Sequence, residues 1–172
     1  ADMKHRLCSI LISASVLVFN CMAPAADLYS SGPKTWDTST RNWGTTSGGP
    51  YATTSWDNEH PDSAIFEGTA GTVTVREPVT VKNIIFTTKD GGYTLSGSTL
   101  NFVEGGVIDQ RARHIDHTIT SPITGSPDVR IINNKGNIYK GLIFAPTKGS
   151  QTLGTATVPY NDNVQKGDKG GL

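Results

Sequence analysis

From Asp27 onward no window of the chain carries an apolar 3.6-residue period of helical length, whereas apolar and polar residues alternate at period two in many short segments. The clearest are Thr72-Val73-Thr74-Val75, Val79-Thr80-Val81, Ile84-Ile85-Phe86, Tyr93-Thr94-Leu95, Leu100-Asn101-Phe102, Thr118-Ile119-Thr120, Val129-Arg130-Ile131 and Leu142-Ile143-Phe144. Turn formers fill the gaps, as in Asp90-Gly91-Gly92, Ser96-Gly97-Ser98, Glu104-Gly105-Gly106 and Gly125-Ser126-Pro127. This pattern excludes a helical domain and predicts an all-β fold of short strands. Val79–Val81 with Ile84–Phe86, then Tyr93–Leu95 with Leu100–Phe102, read as two strand pairs, the second stacked directly on the first. Stacking of that kind predicts a short parallel β-helix, a solenoid; an antiparallel β-sandwich is the alternative.

Residues 34–71 differ, with three tryptophans, dense Thr/Ser and little alternation. An uncovered solenoid end leaves apolar surface and strand edges wet, so Trp36, Trp43 and Trp56 are expected to pack as an N-terminal cap. Ahead of them, Lys4, His5 and Arg6 precede the largely apolar stretch Leu7 to Phe19, followed by Ala23-Pro24-Ala25. This is the pattern of an export signal, too short for the roughly 20 residues of a spanning helix. The expected organisation is a leader at 1–26, a Trp-rich cap at 27–71, β-helix coils at 72–148, and a Gly-rich polar tail or further repeat at 149–172. Both cysteines, Cys8 and Cys21, and both methionines lie in the leader. A disulfide framework and a Cys-ligated metal site are thereby excluded from the exported part. The balance of 13 Lys+Arg against 14 Asp+Glu from Asp27 onward excludes a protein that tracks phosphates through a basic surface.

Chemistry-bearing motifs are sparse. The chain holds no Gly-x-Ser-x-Gly elbow, P-loop, dinucleotide fingerprint or His-Glu-x-x-His. Asp57-Asn58-Glu59 and Asn161-Asp162-Asn163 offer oxygen ligands without the spacing of a calcium loop, so no cofactor or metal is expected. The densest cluster is Arg111-Ala112-Arg113-His114-Ile115-Asp116-His117. On one strand it would place His114 and Asp116 on one face and Arg111, Arg113 and His117 on the other. The candidate ligand-binding residues are therefore Arg111, Arg113 and His114, for an acidic polysaccharide, and Trp36, Trp43 and Trp56, for stacking on a sugar if they do not pack as a cap.

In order along the chain, Lys34-Thr35-Trp36, Asn42-Trp43, Ser55-Trp56-Asp57-Asn58, Asp62-Ser63-Ala64-Ile65-Phe66, Thr72-Val73-Thr74-Val75, Val81-Lys82-Asn83-Ile84-Ile85-Phe86 and Gly92-Tyr93-Thr94-Leu95-Ser96-Gly97 resemble a known class. They are similar to the tryptophan-rich opening, the Ala-x-Phe strand and the recurring Gly-Tyr-Thr-Leu-x-Gly coil of bacterial secreted proteins with autotransporter-associated β-strand repeats. The resemblance covers roughly residues 34 to 125. It implies a right-handed parallel β-helix, secreted or displayed at the cell surface, serving as a non-catalytic structural module in adhesion or surface assembly. Such proteins run on through many repeats, which implies either a piece of a longer chain or a short relative. The alternatives are a carbohydrate-binding module and, further off, a polysaccharide-processing enzyme. The expected partners are another protein or a surface polysaccharide, with end-to-end self-association, no nucleic acid and no membrane span once the leader is removed.

Overall fold

The structure, a computed structural model, describes residues 24–112, 115–131, 141–147 and 149–157. Most of the leader and the segment from 158 onward therefore lie outside the described residues. The strands are β1 (Asp27–Ser30), β2 (Lys34–Trp36), β3 (Ser63–Phe66), β4 (Thr72–Val75), β5 (Val79–Phe86), β6 (Thr94–Gly97), β7 (Leu100–Gln110), β8 (His117–Ile119), β9 (Ile123–Thr124), β10 (Asp128–Ile131), β11 (Leu142–Phe144) and β12 (Ala156–Thr157). One sheet has the order β1-β3-β5-β7-β10-β12 with β9 also on β7, and the other the order β11-β8-β6-β4-β2. Each pairing between strands is parallel and joins a strand to one a turn away. The chain is thus a β-solenoid, and the antiparallel sandwich is excluded. Among the described residues there is no helix, and so none long and apolar enough to cross a membrane.

The turn is longer than the sequence pattern suggests. Tyr93–Leu95 does not stack on Val79–Val81, nor Leu100–Phe102 on Ile84–Phe86. Val73 pairs instead with Leu95, Leu95 with Ile119, and Ile119 with Phe144. The shorter step matches strands that belong to different walls. Val79–Val81 pairs with Leu100–Phe102 and Asn83–Phe86 with Val107–Gln110, the register shifting between Val81 and Asn83. β5 and β7 therefore each bend to serve two walls, and with the five-strand sheet they give three walls per turn.

Alternation aims one side of every wall inward, and the register stacks like on like. Leu28, Ala64, Ile84, Ile108 and Val129 form one column across five strands. Val73, Leu95 and Ile119 form a second, and Val79, Leu100 and Ile123 a third. All are buried. Removing each such Val, Leu or Ile side chain from water is worth about 1.5–3 kcal/mol, and none of that burial exists without the neighbouring coil.

Gly-Tyr-Thr-Leu-Ser-Gly at 92–97 shows what the coil demands of sequence. A Cβ at Gly92 would strike the Asp116 carbonyl oxygen of the next coil, and one at Gly97, where φ is +115°, the Val75 carbonyl oxygen of the previous one. Between them Leu95 points into the core and Thr94 and Ser96 point out. Tyr93 is fully buried; its hydroxyl lies 2.7 Å from the Glu67 carbonyl and 2.8 Å from that of Thr69, and accepts the Gly32 N–H at 3.2 Å. One phenol thus ties three successive coils together, and burial pushes its pKa up to about 12, so it stays a neutral donor.

We expect Gly97→Ala to destabilise the fold by on the order of 2 kcal/mol, because backbone carbonyl and positive φ both oppose a side chain. Gly141→Ala, where a Cβ meets only Ile131 side-chain atoms at 3.7 and 3.9 Å, should change stability by less than about 0.5 kcal/mol. Urea midpoints followed by far-UV circular dichroism separate the two.

Candidate functional site

The three tryptophans sit inside the first coils. Trp36 ends β2 in register with Val75, while Trp43 is held by an antiparallel bridge to Thr54. Trp56 donates its indole N–H to the Thr80 carbonyl of the next coil at 3.0 Å. Their ring centroids are 4.9 to 5.1 Å apart at steep angles, close to the edge-to-face geometry that aromatic quadrupoles favour. Phe66 continues the stack at 5.8 and 5.7 Å from Trp36 and Trp43, and Phe86 lies 5.5 Å beyond it. Relative exposures of 0, 0 and 2% leave no indole face on which a sugar could stack. Lys34 donates to the Asn42 carbonyl at 3.3 Å with its ammonium 5.5 Å from the Trp43 ring centre, and burial lowers its pKa to about 8.

Around this cluster, polar side chains supply the pairing that a full strand would give. Asn58 accepts the Thr80 N–H at 2.7 Å and donates to the Pro78 carbonyl at 3.1 Å, so its amide replaces a rung of the ladder. Asp37 accepts the N–H groups of Ser39 and Thr40 at 3.1 and 2.6 Å, and both their hydroxyls, in an Asx turn. Burial would raise its pKa, but these hydrogen bonds from Thr40 and Ser39 outweigh it and hold the carboxyl below its usual value. Asp37 therefore stabilises the turn above the ordinary carboxylate range and loses that contribution as pH falls through its depressed pKa. Thr38 bonds Glu77 of the following coil through both its N–H and its hydroxyl, at 2.7 and 2.5 Å.

The basic segment is not one strand. β7 ends at Gln110 and β8 opens at His117, so the expected shared face of Arg111 and His117 does not form. Arg111 is half exposed and donates through Nε to Asp109 at 2.8 Å. His117 points inward and is fully buried. Arg113 and His114 lie outside the described residues. The structure therefore does not bring the tryptophans and Arg111 together: the first are core, the second is an ion-paired surface group at the end of β7.

Candidate motifs in the sequence do not reveal the outer surface of the five-strand sheet. Register places Thr72, Thr94, Thr118 and Ile143 in one outward column and Thr35, Thr74 and Ser96 in the next. Coils repeat every ~4.8 Å and alternate residues of a strand are ~6.6 Å apart, so these hydroxyls form a flat two-dimensional grid. Elsewhere Thr and Ser hydroxyls such as those of Thr38, Thr40, Ser47, Thr88, Thr120 and Thr124 bond to the protein. Among the described residues, those of the grid make no such bond, and neither column holds a charged residue. Thr-x-Thr at 72–74 and Thr-x-Ser at 94–96, continued by Thr118, are the signal for it.

We expect the native protein to show blue-shifted tryptophan emission that acrylamide quenches weakly, and neutral or acidic sugars to leave it unchanged. Trp36→Ala should cost about 3–5 kcal/mol, the range for truncating a buried large aromatic. Denaturation followed by fluorescence and circular dichroism measures both.

No family model matches the chain, and no solved structure matches it. Over 104 residues it is 39% identical to a curated protein of Brucella suis biovar 1 (strain 1330), the adhesin BmaC autotransporter. That match takes in 54% of this chain and 3% of the relative, so the chain spans a small fraction of the adhesin's length.

Proposed function

We propose that this chain is a non-catalytic, adhesion-type module of an exported bacterial protein, built from coils of the autotransporter-associated repeat kind and working outside the cell or at its surface. The likeness to part of an autotransporter adhesin supports the setting. The observation that carries the contact surface is the hydroxyl grid of Thr35, Thr72, Thr74, Thr94, Ser96 and Thr118 on a wall whose inward side is fixed by the core.

An uncharged, regularly spaced array of donors and acceptors matches a neutral, hydroxyl-rich glycan better than an anionic one. Each exchange of water for a glycan hydroxyl gains only about 0.5–1.5 kcal/mol, so the affinity of one module is modest. Repetition along a surface multiplies it. The buried indoles play no part in this contact; they keep the wall flat by holding the first coils together.

The test is retention of the protein on a panel of immobilised neutral and acidic polysaccharides. The triple variant Thr72→Val/Thr94→Val/Thr118→Val keeps side-chain shape and β propensity while removing one column of hydroxyls. We expect at least tenfold weaker retention on the neutral glycan bound by the wild type, with unchanged circular dichroism and little effect of salt. Undiminished binding by the variant, or binding confined to acidic polymers and abolished by salt, overturns the reading.

A further inference from the structure

The interior changes character along the solenoid. From the tryptophans through Phe66 to Phe86 the stack is aromatic, and the next coil presents Gln110 and His117 instead. The His117 ring lies flat on Phe86, centroids 4.2 Å apart at 12°. Its Nδ1 accepts the Tyr93 N–H at 3.0 Å, which fixes the neutral tautomer with the proton on Nε2. Among the described residues, that Nε2, the Gln110 Oε1 and the Ser121 hydroxyl are buried without a hydrogen-bond partner, and all three belong to the coil segment 110–121. The first coils bury as many unpaired polar atoms, the Ser30 hydroxyl and the Trp36 and Trp43 indole N–H groups, so what sets the later coil apart is that one of its buried groups can take up a proton.

The groups around the imidazole offer a proton little compensation. Tyr93, with its ring centre 6.2 Å away, is a neutral phenol turned to the Glu67 and Thr69 carbonyls. Asp116, the preceding residue, favours a charged imidazole but accepts the Gly141 N–H at 2.7 Å. Gln110 already donates its amide to the Ile115 carbonyl at 2.8 Å. Leu142, the register partner on β11, is apolar.

We propose that His117 is an acid-sensitive latch: a proton on Nδ1 breaks the bond to Tyr93, puts a charge into the ring stack, and releases the coils from β8 onward while the tryptophan-packed coils stay folded. The sign follows from burial, which lowers the imidazole pKa from 6.5 to about 4 against the smaller opposing effect of Asp116. The unfolded segment takes up the proton more readily than the folded one. The latch is therefore fully closed above pH 6.5, weakens roughly tenfold per pH unit as pH falls toward 4, and changes no further below.

Hydrogen exchange of the full chain between pH 7 and pH 4.5, corrected for the intrinsic pH dependence of exchange, tests this by location. We expect protection within 117–131 to fall at least tenfold while that within 63–86 stays within threefold. His117→Gln, whose amide oxygen can still accept from Tyr93 but which does not titrate, should abolish the pH dependence. Should that variant fail to fold, the imidazole resonance of the wild-type protein decides: titration well below 6.5 supports the latch, and titration near 6.5 overturns it. Loss of protection in both regions together, or in neither, also overturns it.

Discussion

A single coil of this solenoid cannot bury a side chain by itself; its inward residues are covered only by the coils above and below. Parallel register is therefore the constraint from which the rest follows. It aligns Leu28, Ala64, Ile84, Ile108 and Val129 into one column and satisfies the backbone of each strand through its neighbours. A slip of one residue would turn every column outward. The tight stack also explains why glycine stands at 92, 97 and 125: a carbonyl of an adjacent coil occupies the place of each missing Cβ, and at 97 and 125 the backbone also takes positive φ.

The first coils are held by means that differ from the regular walls. Antiparallel bridges join Tyr29 to Gly44 and Trp43 to Thr54, against the parallel run of the strands. Asn58 stands in for a strand, and three indoles fill the interior that aliphatic columns fill elsewhere. Aromatic rings suit this use because each brings a large area with few rotatable bonds. Among the described residues, the indole N–H groups of Trp36 and Trp43 find no hydrogen-bond partner in the process. Burying them without partners is a cost that the close packing of three indoles and Phe66 outweighs.

The alternating strands are legible in the sequence because polar and apolar residues strictly interchange in β4, in the first half of β5 and in β6. The wall formed by Val107–Gln110 is not, since a Gly-Gly pair precedes it and Asp109 and Gln110 end it, and without that wall the turn looks too short. The tryptophans stand out by their rarity, but burial, not residue type, decides whether an indole packs or binds. Spacing groups His117 with charged neighbours although its coil turns it into the core, a distinction that depends on where β7 ends. The hydroxyl grid is written as Thr-x-Thr at 72–74, Thr-x-Ser at 94–96 and Thr118, and only the register of Thr72 on Thr94 and of Thr94 on Thr118 brings them into line.

Inward and outward positions in such a wall answer to different demands. Val73, Leu95 and Ile119 are each clamped between neighbouring coils, so a change of volume there is felt along the column. Thr72, Thr94 and Thr118 belong to the same strands yet lie on the outer face, outside the aliphatic core, so their side chains can be chosen for what lies outside. Where the outward column reaches β11 it changes from Thr118 to Ile143, 47% exposed, while Leu142 and Phe144 remain packed against the core. The scaffold thus tolerates apolar and hydroxyl side chains at equivalent outer sites, because its stability is set on the opposite side of the same strands. A surface contact written in outer residues can be extended or altered coil by coil without reopening the question of folding.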